Sequence, residues 1–136
     1  MRTIKFRGKR VDNGEWVYGN LIKMDSEGSQ SFIFPFYEHA SSRPCGQIIA
    51  LNSIAIIPET IGQFTGLVDK NGVEIYEGDV MHWDSYWGWY VGYENGAFRR
   101  IPLDEIQRIN WEHYTLQQEG LETWEVIGNV HERSEV

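Results

Sequence analysis

One cysteine in 136 residues, Cys45, leaves no internal disulfide framework and no site built from two thiolates of one chain. The four histidines, His39, His82, His113 and His131, are scattered, and no two share a metal-ligand spacing such as i and i+4. The sequence also lacks a serine elbow, a phosphate loop and a dinucleotide fingerprint. No apolar stretch approaches a membrane span, and the opening "MRTIKFRGKRV" has no apolar run of signal-peptide length. A cytoplasmic protein without membrane contact is therefore expected. Neither a metal nor a cofactor is expected.

What the chain does contain is a core and the means to fold it flat. Apolar residues make up 41 % and charged residues 24 %, a balance suited to one globular domain of this length. Aromatics at 14 % together with 14 glycines favour β-structure, which uses both flat side chains and tight turns. The net charge of −8 is unevenly placed. Residues 1–23 hold six of the twelve Lys/Arg against two acids, and the remainder holds six against eighteen. The cations Arg2, Lys5, Arg7, Lys9 and Arg10 have two readings. They form a nucleic-acid-binding arm, or they belong to a structural hairpin lying against acidic surface of the same chain or a neighbouring copy. The strand-like alternation of "TIKFRGK" favours the hairpin.

"TIKFRGKRVDNGEWVYGNLIK" reads as two strands around a turn at Asp12-Asn13-Gly14. "SFIFPFY" is a short strand interrupted by Pro35, and "IIALNSIAIIP" a strand pair or bent strand stopped by Pro58, which suits the opening of a helical turn. Asp69-Lys70-Asn71-Gly72 is a turn, Glu77-Gly78-Asp79 a bend or bulge, and "WGWYVGYENGAFRRI" a hairpin closed by Asn95-Gly96. "PLDEIQRI" carries a helical signal, with Leu103, Ile106 and Ile109 on one side. The expected fold is mainly β, of short antiparallel strands with one or two short helices. It spans 1–136 as a single domain, with a division into lobes 1–62 and 66–136 left open. The half from about Gly66 onward is expected to form a small SH3-like barrel.

Two stretches invite a chemical reading. "GQFTGLVDKNGVEIYEGDV" gathers carboxylates at Asp69, Glu74, Glu77 and Asp79, but its flanks are strands and position 73 is Val, which does not suit a calcium loop. Turn and bend architecture is the better account. "WDSYWGWYVGY" would place Trp87, Trp89, Val91 and Tyr93 on one strand face. With Trp83, these aromatics form a candidate interaction surface. No Lys or Arg lies between Met81 and Phe98, so phosphate attraction is disfavoured there. Packing in the core or between subunits is favoured instead.

The blocks "IKFRGKRVDNGEWVYGNL", "ETIGQFTGLVDKNGVEIYEGDV" and "WEVIGNVHE" together resemble the YopX protein family of phages and prophages. The resemblance implies a small phage- or prophage-encoded protein that forms multi-chain assemblies, and it transfers no catalytic residue. The expected function is non-enzymatic, the binding of a phage or host protein or of further copies of the chain. The alternative is nucleic-acid association through the basic hairpin.

Overall fold

The computed structural model describes residues 2–24, 30–35, 53–83, 86–103 and 115–132, with the side chains of 86 and 87 left out of the description. Nearly all the regular structure is antiparallel strand: β1 (Phe6–Lys9), β2 (Trp16–Met24), β3 (Gln30–Pro35), β4 (Ile54–Ala55), β5 (Gly62–Val68), β6 (Glu74–Tyr76), β7 (Asp79–Trp83), β8 (Tyr86–Glu94), β9 (Ala97–Pro102) and β10 (Glu125–Asn129). The mainly β expectation holds. A single turn of 3₁₀ helix, Pro58–Thr60, starts on the proline, whose fixed φ suits that position. The helical signal of "PLDEIQRI" falls largely on 104–114, outside the described residues.

The chain divides into two compact units, Thr3–Gln63 and Phe64–Val136. In the first, strand order runs β4-β3-β2-β1 and continues onto the start of β5, where Arg7 faces Gly62. Phe6, Val17, Leu21 and Ile33 alternate onto one face and pack with Ile54, Ile56 and Ile61. The segment after β4 turns this sheet back on itself. Ile56 N–H donates to Ser31 O on β3, while Ile57 N–H donates to Lys9 O and Val11 N–H to Ala55 O. Gly8 makes this closure feasible, because a Cβ there would lie 2.7 Å from Ile56.

The second unit holds the β5–β6 pairing and a four-stranded sheet of order β10-β7-β8-β9. Its core is Ile75, Met81, Trp89, Val91, Leu116 and Leu121, with Leu67, Phe98, Trp124 and Val126 packed against it. The small barrel expected from Gly66 onward is not what the described residues establish. They show a sheet with β10 and β9 at its edges, plus one isolated bridge from Arg99 to Thr115. Closing a barrel depends on pairings between distant segments, which local turn signals do not encode. β5 passes through the division between the units. Gly62 and Gln63 pair with β1, and Phe64 and Val68 with β6.

Candidate functional site

The central carboxylates hold backbone. Asp69 is buried, and its Oδ1 accepts the N–H groups of Asn71 at 2.8 Å and Val73 at 2.9 Å. Its Oδ2 accepts the N–H of Val126 on the end strand β10 at 3.0 Å. The main chain adds Asp69 N–H to Val73 O, Gly72 N–H to Asp69 O, and Lys70 N–H to Trp124 O. One side chain thus closes a turn and fixes an edge strand to it, where unpaired N–H groups would otherwise be left open. Asp79, also buried, accepts Tyr76 N–H at 2.7 Å and braces the turn at Glu77-Gly78. The two aspartates that looked most like chemistry serve the fold.

The basic hairpin is likewise engaged. Facing pairs Arg7–Tyr18 and Lys9–Trp16 share the face opposite the core. The Arg7 guanidinium lies 4.6 Å and the Lys9 ammonium 5.5 Å from the centre of the Trp16 ring, contacts worth about 1 kcal/mol each. Arg7 is 6 % exposed. Arg10 makes a two-pronged pair with Asp12, at 2.9 and 2.8 Å. That hydrogen bond, ahead of the simple charge attraction, lowers the pKa of Asp12 and raises that of Arg10. Of the five candidate cations, Arg2 stands exposed and Lys5 half-buried.

The aromatic candidates separate. Trp89 is only 5 % exposed and lies in the core, so its assignment to an interaction surface is corrected. The reason is register: Trp89 faces Met81, and Met81 faces Val126, so all three share the apolar side of the sheet. Trp83 and Tyr93 stay 44 % and 55 % exposed. Trp83 leans on Trp124 with ring centres 5.9 Å apart, and Tyr93 meets Phe98 edge-on at 5.2 Å. The side chain of Trp87 lies outside the described residues, as do Cys45, His39 and His113. His82 sits opposite Glu125, with Nδ1 3.9 Å from a carboxylate oxygen, and Lys70 is the same distance from the other. Among the described residues no group of three or more His, Cys, Asp or Glu could hold a metal ion, and no helix is long and apolar enough to cross a membrane.

Three contributions escaped the sequence reading. Arg100 faces Val91 and lies 5.0 Å over Trp89, with its pKa lowered by burial. It falls two residues beyond the cation-free window, and only the hairpin register brings it back. Trp124 bridges the core to the surface, touching Trp89 at 5.3 Å as well as Trp83. Gln118 grips the Val68 peptide, its Nε2 donating to Val68 O at 2.9 Å and its Oε1 accepting Val68 N–H at 3.2 Å. An amide side chain stands there in place of a neighbouring strand.

The crystal structure of protein EF1440 from Enterococcus faecalis is similar to this chain, with a TM-score of 0.61 and 26 % identity, covering 99 % of this chain and 98 % of that one. No curated protein matches. The family model described as YopX protein matches residues 5–136, including all three blocks that carried the resemblance apart from the first residue of the first block, Ile4. By that match over nearly its whole length, the chain belongs to the YopX protein family.

Proposed function

We propose that this chain is a phage- or prophage-encoded accessory protein of the bacterial cytoplasm that acts by binding protein, either further copies of itself or a phage or host partner, and catalyses no reaction. The observation that carries this reading is the pair Trp83 and Tyr93. Each is well exposed yet held in place by a ring beneath it. Large aromatic side chains already fixed in position lose little freedom on binding and are frequent anchors of protein interfaces. The engagement of Asp69 and Asp79 with backbone N–H groups supports a structural use of the acidic block. The pairing of Arg7, Lys9 and Arg10 with Trp16 and Asp12 supports the same view of the hairpin.

Light scattering at micromolar concentration tests the self-association form. A closed homo-oligomer is expected, shifted toward monomer by Trp83→Ala or Tyr93→Ala, whereas a monodisperse wild-type species near 15.9 kDa would remove it. Nucleic acid serves as the control ligand. Binding at physiological salt should be no tighter than about 10⁻⁴ M. A clear gel shift that is lost on changing Lys5, Arg7 and Lys9 to Glu would put the basic hairpin in the leading role.

A further inference from the structure

Three Asn-Gly pairs stand in exposed turns: Asn13-Gly14, Asn71-Gly72 and Asn95-Gly96. In sequence they are equivalent. In structure they are not. Gly14 N–H donates to Arg10 O at 3.0 Å, and Asn13 Oδ1 is occupied by the N–H of Glu15 at 2.9 Å. Gly72 N–H donates to Asp69 O at 3.0 Å, inside the turn that the Asp69 carboxylate braces. Asn95 and Gly96 form the two-residue loop between the facing pair Glu94 and Ala97, and Gly96 N–H makes no hydrogen bond among the described residues. Asn95, at φ 53, is the one non-glycine residue at positive φ among them, and Gly96 follows at φ 80. Apart from the chain neighbours, open space surrounds Gly96 as it does Gly14 and Gly72, so the three turns differ in hydrogen bonding and not in crowding.

We propose that Asn95 is a site of spontaneous deamidation in the folded protein, set apart from Asn13 and Asn71 by the free amide of the glycine that follows it. The Gly96 nitrogen, after losing its proton to water or hydroxide, attacks the side-chain carbonyl carbon of Asn95. A new N–Cγ bond forms, the Cγ–Nδ2 bond breaks, and ammonia leaves with a proton from solvent. Water then opens the resulting succinimide at either carbonyl to give aspartate or isoaspartate. A hydrogen bond on the attacking N–H opposes the first step, both by fixing the nitrogen toward its acceptor and by resisting its deprotonation. Gly14 and Gly72 are restrained in this way. Either product adds a carboxylate beside Glu94. Isoaspartate also adds a carbon to the backbone of a two-residue loop, and because loop length sets hairpin register, the 94–97 pairing beside Tyr93 and Phe98 would be disturbed.

The test is to hold the purified protein at mildly alkaline pH, digest it, and follow the three peptides by mass spectrometry. Isoaspartate is confirmed by methyl transfer from an isoaspartyl methyltransferase. Native protein should convert Asn95 several-fold faster than Asn13 or Asn71, and in concentrated urea the three rates should draw together. The proposal fails if Asn13 or Asn71 keeps pace in the native protein. It fails equally if Asn95 stays intact while the unfolded chain reacts, or if its lead persists unchanged in urea.

Discussion

Asp69 shows how one residue can look catalytic and be structural. It accepts three backbone N–H groups, two within its own turn and one on β10, 57 residues further along the chain. Asp69→Ala would leave those donors without their acceptor, and a loss of about 3 kcal/mol is expected. Urea unfolding checks this; a shift no larger than that of a surface substitution would deny the clamp. Gly72, at φ 80 with open space around it, sets the same turn. Gly72→Val should lower stability by about 1 kcal/mol or more through backbone strain alone, read from the thermal midpoint. The turn was legible in the sequence because Asn-Gly is a local instruction. The partnership with Val126 was not, since nothing near Asp69 in sequence names the strand it holds. Asp12 allows a pH prediction. Its folded pKa is lowered by the hydrogen bond from Arg10, so its contribution to the hairpin is present above the unfolded pKa and lost as pH falls through the lower folded value. Carboxyl titration followed by NMR should place Asp12 below the ordinary aspartate range, and Arg10→Gln should return it there.

Elements defined by their own turns were readable, and elements defined by distant partners were not. The β1–β2 and β8–β9 hairpins follow from Asn-Gly pairs between alternating flanks, and the structure has both. The face of β8 was also legible, with Trp89 and Val91 on one side, but whether that face met core or partner depended on where Met81 and Val126 would lie. The hold of Gln118 on Val68 spans 50 residues and carries no local signature. This clamp should act locally. Gln118→Ala is expected to speed hydrogen exchange at the Val68 amide while moving the global unfolding midpoint little, because both groups are exposed and water replaces the lost bonds at small cost. Unchanged exchange at Val68 would mean that the side chain does not guard that peptide in solution.

At the scale of the whole molecule the uneven charge matters most. In the proposed self-association, the cations of the N-terminal hairpin of one copy would meet the acidic surface of another, on a chain of net charge −8. Such attraction between exposed charges is screened within about 10 Å at 0.1 M salt. The average mass seen by light scattering should therefore fall as salt is raised at fixed protein concentration. A mass that holds or grows with salt would point to apolar contact as the main cohesion. The chain of indoles Trp83, Trp124 and Trp89 has an optical consequence. Neighbouring rings 5.9 and 5.3 Å apart, inclined at 55° and 60°, are close enough for their electronic transitions to couple. Their circular dichroism will then overlap the weak backbone signal of a β protein and distort any strand content fitted to it. The same overlap makes that band a reporter: it should collapse when the Trp124 side chain leaves its two neighbours, whether or not the strands around it have yet come apart.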